Sequence, residues 1–195
     1  KENLSMVDNI YFQNEDILKV NLEKIVKKNT IIFGNLPYNV ASQILVKFIK
    51  FKEWPPKYLS LIFMFQKEMA DRIIGKFGSS KYGRLSILTN YRLKHLSKFD
   101  ISPNCFFPKP KVESTVLHLI PKNHTFHKIK NIDNLEKITN ILFSSRRKMI
   151  NKSIKKVFNQ NQSFNSIVNL NLSSRPAELE PDKYYEITEL FEKSY

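Results

Sequence analysis

Gly34-Asn35-Leu36-Pro37-Tyr38 follows directly on the β-branched and aromatic run Ile31-Ile32-Phe33. This strand-then-Asn-x-Pro-Tyr junction has the residue types needed to hold an exocyclic amine for methylation. The N6 lone pair of adenine is delocalised into the ring, so it is a poor nucleophile until acceptors hold the amine hydrogens and draw it out of conjugation. An Asn side-chain oxygen and a backbone carbonyl in a rigid turn are such acceptors. Pro37 fixes φ and removes a competing N–H donor, and Tyr38 offers a face on which a base can stack. Gly, Asn and Pro are also the commonest turn residues, so the pentapeptide by itself fits ordinary turn chemistry equally well.

Other reactive side chains are sparse. His95, His118, His124 and His127 are scattered or lie in a polar linker, with no metal-ligand spacing among them, and no metal is expected. The single cysteine, Cys105, cannot form an internal disulfide and suits a reducing compartment. It reads as a small buried hydrophobe rather than a nucleophile.

The positioning elements follow from periodicity. Tyr11 to Asp16 reads as a short strand ending in acids, and Thr30 to Phe33 as a second, fully buried strand. Val40, Ile44, Leu45, Phe48 and Ile49 have helical spacing, and Trp54-Pro55-Pro56 stops that helix. A near-continuous apolar strand runs from Tyr58 to Phe65. Helix is expected from Gln66 to Phe77, ended by Gly78, and an amphipathic segment from Arg84 to Lys94. Strands alternating with helices predict a parallel α/β sheet. Two strand-like runs, His95 to Ile101 and Val112 to Ile120, are joined by a Pro-rich loop too short for a crossover helix, which predicts an antiparallel hairpin at the sheet edge. In open sheets of this kind ligands bind outside the carboxyl ends of the strands, where Asp16 and Asn35 are expected to fall.

From Asn131 the pattern is helical, over roughly 132–145, 147–158, 162–170 and 181–193, with Pro181 in a first turn and a loop over 159–162. The expected boundary lies near Pro121, dividing the chain into residues 1–121, an α/β unit, and residues 122–195, a small all-α unit.

Composition bounds the partners. The chain has 195 residues, 42% of them hydrophobic, with a formal charge of +14 and a pI near 9.7. That balance points to a polyanion, because each phosphate neutralised by Lys or Arg releases condensed counterions. The excess is placed: residues 122–160 hold ten Lys or Arg against two acids, whereas residues 161–195 hold three against six. Part of it also reflects an abundance of Lys, Asn and Ile of the kind an AT-rich genome produces. No stretch of about 18 apolar residues occurs, which excludes a transmembrane helix and argues against a membrane partner. The start, Lys1-Glu2-Asn3-Leu4, has neither an initiator Met nor a signal-peptide core and reads as the beginning of a fragment.

Asn35-Leu36-Pro37-Tyr38-Asn39-Val40 resembles the amine-binding motif of the ribosomal RNA adenine N6,N6-dimethyltransferases. Further matches follow in order: Gln66-Lys67-Glu68, Lys81-Tyr82-Gly83-Arg84-Leu85-Ser86, and Phe106-Phe107-Pro108-Lys109-Pro110-Lys111-Val112-Glu113-Ser114. Phe143-Ser144-Ser145-Arg146-Arg147-Lys148 and Arg175-Pro176-Ala177-Glu178-Leu179 complete the series, which covers almost the whole chain. The last two are similar to the housekeeping enzyme that dimethylates two adjacent adenosines near the 3′ end of small-subunit (16S) ribosomal RNA.

The resemblance implies the C-terminal part of a Rossmann-like, S-adenosylmethionine-dependent methyltransferase sheet followed by a helical RNA-binding domain. It implies that Asn35 accepts a hydrogen bond from the target N6 and lies beside the cofactor, with the Leu36 and Pro37 carbonyls completing the cradle. Tyr38 and Phe106 would stack on the two faces of the flipped adenine, and Asp16 would contact the adenine end of S-adenosylmethionine. Arg146, Arg147, Lys148, Lys152, Lys155 and Lys156 are candidates for RNA-backbone contact, because phosphate contacts position a substrate while the pocket specifies the base. Lys81 and Arg84 are weaker candidates, and Arg175-Pro176 reads as an inter-helix packing motif. The implied setting is the pre-30S particle, with a monomeric enzyme in bacterial cytoplasm or an organellar matrix.

The chain departs from the family pattern in one large respect. The family begins with a glycine-rich loop after the first strand; this chain has four glycines, none in a Gly-x-Gly arrangement. It reads as starting at the third strand, with half a cofactor site and no activity alone. Glu180 stands before Pro181 where a Ser is expected, a weaker N-cap. Rival readings are the large-subunit dimethyltransferase of macrolide resistance, which usually has Ile at the position of Leu36, and a non-catalytic RNA-binding, ribosome-assembly or mitochondrial transcription factor of the same fold. Retention of Asn35, Tyr38 and Phe106 together argues against a binding-only role.

Overall fold

The computed structural model describes residues 10–123, 127–158 and 170–194. After a short helix α1 (Leu22–Ile25), strand β1 (Thr30–Asn35) leads through helix α2 (Ala41–Ile49) into β2 (Tyr58–Gln66). Helices α3 (Lys67–Ile73) and α4 (Arg84–Arg92) precede β3 (Leu93–Ile101) and β4 (Ser114–Pro121). Helices α5 (Ile132–Phe143), α6 (Asn151–Val157) and α7 (Pro181–Ser194) complete the described elements.

The sheet order is β1-β2-β4-β3. β1 and β2 run parallel, so a crossover is required between them, and α2 is that crossover. β2 pairs antiparallel with β4 and β4 with β3, which is the terminal hairpin expected from the Pro-rich connection.

Several expectations are corrected. Residues 11–16 form no strand; no described strand pairs with them, and Tyr11 is 90% exposed. Asp16 instead opens a turn, its carbonyl accepting from the Lys19 and Val20 amides at 2.8 and 3.1 Å. β1 is not fully buried: Ile31 is 52% and Phe33 72% exposed. Thr30, Ile32 and Gly34 are partly covered and the residues alternating with them are exposed, the pattern of a strand with one face packed and the other open among the described residues. α3 stops at Ile73, before Gly75, and Gly78 lies further on in the loop with φ of 81°. A Cβ on Gly75 would come within 2.6 Å of the Lys81 carbonyl oxygen, so only glycine lets the loop's two arms meet. The helix expected from residue 147 begins at Asn151, and residues 144–147 are turn. The expected helix over 162–170 falls almost wholly outside the described residues.

α4 is not amphipathic. Ser86, Ile87, Leu88, Thr89, Tyr91 and Arg92 are all buried, because α2, α3 and β3 lie against it on the sheet side and α5 and α7 on the other. One hydrophobic cluster therefore runs from Phe63 and Leu117 in the sheet through Leu88 to Ile138 and Tyr184 in the helices. Arg92 is held inside it. Its Nη1 donates to the Ile49 and Phe51 carbonyls, each at 2.6 Å, and the guanidinium lies 4.6 Å from the Trp54 ring centroid. These bonds cover carbonyls at the C-terminal end of α2, where a helix has unpaired acceptors. Burial pushes the guanidinium pKa below its ordinary value, yet the group stays cationic at neutral pH.

The Arg175-Pro176 segment packs as expected. Pro176 is buried at the start of a single 3-10 turn, and the Tyr82 and Tyr184 hydroxyls donate to the Leu179 and Pro176 carbonyls.

Candidate active site

The amine-cradle residues stand where β1 ends. Gly34 pairs with Phe63 and Asn35 with Met64 in the parallel ladder. A Cβ on Gly34 would lie 2.7 Å from Leu36 Cδ2 and 2.8 Å from Phe63 Cδ1. The glycine therefore makes room for Leu36 to fold back and bury its side chain, which turns the chain sharply after Asn35. The Pro37 carbonyl accepts from the Val40 amide at 3.1 Å, closing the turn into α2. The Leu36 carbonyl has no described partner. Asn35 is exposed, and among the described residues its side-chain amide makes no hydrogen bond, so both amide functions face solvent.

Tyr38 is fixed at its tip. Its Oη lies 2.7 Å from Ser114 Oγ, a fully buried hydroxyl on the first residue of β4. Ser114 is in turn placed by its pairing with Gln66 and Ile101. Just ahead of it, Lys67 anchors the strand entry: its backbone N–H donates to the Glu113 carbonyl at 3.0 Å, and its ammonium pairs with the Glu113 carboxylate and with Asp100 at 3.3 Å. The Thr115 hydroxyl donates to Asp100 at 2.6 Å. The Thr115 bond, helped by Lys67, holds the Asp100 carboxyl below its ordinary range. The Glu113 and Asp100 bonds raise the Lys67 ammonium.

Asn35, Leu36, Pro37, Tyr38 and Phe106 line a single open cleft of about 400 Å³, with Met64, Pro108 and Pro110 and, at its rim, the fully exposed Phe107. The Tyr38 and Phe106 rings are not in contact with each other among the described ring pairs. Two π-faces, an unpaired amide and a free backbone carbonyl thus border one open volume. Sequence reasoning missed Ser114, although it ends the Phe106-to-Ser114 motif; a small hydroxyl at the first position of a buried strand was the available signal.

Asp16 is not among the residues that line this cleft. Its Oδ1 accepts from the Leu18 amide at 2.9 Å, and the turn is pinned to α2 by Lys47, whose ammonium donates to the Ile17 and Leu18 carbonyls. Asp16 and Asn35 are both exposed acceptors, and each fits the polar edge of a nucleoside. None of the four glycines forms a glycine-rich strand-to-helix turn. Gly34 lies inside β1, Gly75 and Gly78 in the loop after α3, and Gly83 at the N-cap of α4. Among the described residues, then, Asn35 and Asp16 offer exposed acceptors and no glycine-rich turn accompanies them.

The cationic candidates divide into two groups. Lys81, Arg84 and Arg146 line a second, larger cleft of about 680 Å³, together with Arg72, Glu68 and Glu136. Arg146 lies on no helix: its Nη2 donates to the Ser80 and Tyr82 carbonyls at 2.9 and 3.1 Å, tying the turn after α5 to the Lys81 loop. Lys81 Nζ is 3.8 Å from Glu68 Oε1. Arg147 and Lys148 are exposed in the turn, and Lys152, Lys155 and Lys156 share the exposed face of α6, opposite buried Ile154 and Val157. None of these five has an ion-pair partner among the described residues.

A parallel β1–β2 pair with an Asn-x-Pro-Tyr turn at the carboxyl end of β1, in a sheet that finishes with an antiparallel hairpin, defines an α/β methyltransferase-like fold. Solved structures agree. A dimethyladenosine transferase from Plasmodium falciparum superposes with a TM-score of 0.70 at 24% identity, covering 94% of this chain and 72% of that one. The 23S rRNA methyltransferase ErmE gives 0.63 at 19% identity, covering 98% and 75%.

The family profile for ribosomal RNA adenine dimethylases matches residues 1–193, and the chain belongs to that family. It is 44% identical over 179 residues to ribosomal RNA small subunit methyltransferase A of Pelagibacter ubique, covering 92% of this chain and 68% of the relative. The namesake from Agrobacterium fabrum is 42% identical over 142 residues, covering 72% and 51%. The chain thus spans between half and about two thirds of the length of these relatives.

Proposed function

We propose that the chain contains the acceptor half of an enzyme that dimethylates the N6 amines of two adjacent adenosines near the 3′ end of small-subunit ribosomal RNA. One observation supports this above others: Asn35, the Leu36 carbonyl, Tyr38 and Phe106 border one cleft, with Tyr38 anchored by Ser114. The names of the bacterial relatives support the small-subunit target over the large-subunit one.

In this reading Tyr38 and Phe106 take the two faces of an adenine extracted from its stack. Asn35 Oδ1 accepts one N6 hydrogen and the Leu36 carbonyl accepts the other, the Pro37 carbonyl being partly engaged by Val40. With both hydrogens held, the nitrogen lone pair is drawn out of conjugation and aimed away from the ring. Asn35 and Asp16 would hold S-adenosylmethionine, which would supply a sulfonium methyl to this nitrogen and depart as a neutral thioether. Attack makes N6 cationic and its proton acidic, so Asn35 and the carbonyl need only hold it until solvent accepts it. Much of the rate then comes from orientation.

Residues 1–121 form the catalytic part and residues 122–195 the RNA-binding part, with Lys81, Arg84 and Arg147 to Lys156 meeting phosphates and Arg146 organising the loop between. The enzyme acts as a monomer on the pre-30S particle in the cytoplasm. The missing glycine-rich turn favours a second reading, RNA binding without catalysis by these 195 residues alone.

Calorimetric titration with S-adenosylmethionine, on this chain and on one extended upstream, separates the readings. Binding by the extended chain only, followed by dimethyladenosine formation in a small-subunit RNA fragment, is expected. Absence of methylation by the extended chain, with RNA affinity retained, would favour the binding-only factor. Tight donor binding by the short chain would require a donor site different from that of Asp16 and Asn35.

A further inference from the structure

Phe107 is the most exposed large apolar side chain among the described residues, at 103% relative accessibility, yet it lines the Asn35–Tyr38 cleft. An isolated exposed phenylalanine needs no explanation in general. Here three features combine. Phe106 has extended backbone (φ −121°, ψ 147°) and is half-buried at the cleft, whereas the next residue, Phe107, is fully exposed at its rim. Pro108 and Pro110 stiffen the segment that follows, so the ring is presented on a backbone with little freedom to lose. Lys109 and Lys111 are exposed and have no ion-pair partner among the described residues, whereas the neighbouring Glu113 is engaged by Lys67. An exposed aromatic at the rim of a cleft, followed in sequence by two exposed lysines without ion-pair partners among the described residues, combines the stacking face and the positive charge with which proteins hold single-stranded nucleic acid.

We propose that Phe107 is a second stacking platform, which receives the base adjoining the extracted adenosine while Lys109 and Lys111 meet the flanking phosphates. Extraction of one base leaves its neighbour without a stacking partner, and Phe107 replaces that partner at the mouth of the cleft. The residue positions the strand and does not touch the reacting amine. This inference rests on the adenine-methylating reading of the same cleft and adds the nucleotide next to the target.

The test uses an RNA stem-loop with two adjacent adenosines in its loop, carrying 2-aminopurine either at the target position or at a position flanking it. Wild-type protein is expected to change the fluorescence at the target and at one flanking position. Phe107→Ala should abolish the flanking change, keep the target change and weaken RNA binding about 5- to 150-fold; Phe107→Trp should restore both. Since Phe107 buries no surface, an unchanged circular-dichroism melt verifies folding. Identical flanking signals from wild type and Phe107→Ala, or none from either, would overturn the proposal alone. No response at the target position from wild type would overturn the adenine reading, and this inference with it.

Discussion

Tyr38 Oη and Ser114 Oγ, 76 residues apart in sequence, lie 2.7 Å apart and join the turn after β1 to the first residue of β4. The bond orients an aromatic face from its polar tip, leaving the ring free. Tyr38→Phe keeps the face and loses the anchor, and Ser114→Ala removes the same anchor from the partner side. Ser114→Ala is expected to cost about 0.5–1.5 kcal/mol of stability and Tyr38→Phe, which leaves the buried Ser114 hydroxyl unpaired, about 1–3 kcal/mol; each should lower methylation in an extended, donor-binding chain by no more than about tenfold. Tyr38→Ala removes the face, and its loss should be larger, in keeping with about 1–3 kcal/mol per stacked base. Single-turnover methylation of the three variants checks the ranking; a Phe variant as impaired as the Ala variant would contradict it.

Gly34→Ala places a methyl within 2.8 Å of both Leu36 and Phe63. Overpacking of this kind costs about 1–3 kcal/mol, so Tm should fall by several degrees. Because Leu36 must move, the carbonyl cradle moves with it, and activity should fall further than stability alone accounts for at a temperature where the variant is fully folded.

Arg146 ties the turn after α5 to the Ser80 and Tyr82 carbonyls. Arg146→Ala should accelerate amide exchange over residues 79–83 by roughly tenfold, the scale of one charge-assisted hydrogen bond. Arg146→Lys is expected to restore it only partly, because an ammonium lacks the planar fork that reaches two carbonyls.

The Lys67–Asp100–Glu113 cluster predicts a pH window. Asp100 has a folded pKa below its unfolded one, so its contribution is present above the unfolded value and is lost as pH falls through the folded value. Lys67 is raised, so its contribution is present below its unfolded value and is lost as pH rises through the folded one. The β3–β4 hairpin should therefore be most stable between the carboxylate and lysine ranges. Asp100→Asn should flatten the acid limb of a Tm-against-pH profile and leave the alkaline limb to Lys67 and Glu113.

Thr89 Oγ1 is buried with no hydrogen-bond partner among the described residues. An unsatisfied buried hydroxyl costs on the order of 1–3 kcal/mol, so Thr89→Val should leave Tm unchanged or raise it. A marked drop would reveal a bond that the described contacts lack.

Local signals were legible in the sequence and long-range ones were not. The 3.6-residue spacing of Ile44, Leu45, Phe48 and Ile49 placed α2, and the Pro-rich connection between two strand-like runs placed the β3–β4 hairpin. The cleft could be anticipated because its residues sit in two compact motifs with recognisable chemistry. Tyr11 to Asp16 misled, since a strand is defined by its partner and none is described beside it. Arg84 to Lys94 misled for the opposite reason: periodicity reports one solvent face, and α4 has almost none. Arg146 resembled its neighbours Arg147 and Lys148 in charge, and only the backbone carbonyls opposite it, contributed from residue 80 onward, gave it a different task.

The enclosure of α4 has a consequence for how the molecule fails. With α2, α3, β3, α5 and α7 all against it, the described residues offer no seam along which the helical region could detach while leaving the strands intact. Denaturation should be a single cooperative event, in which probes of Trp54 and of Tyr184 lose signal together. Damage anywhere in α5 or α7 would then be felt at Asn35 as a lower fraction of folded molecules, with the geometry of the surviving ones unaltered.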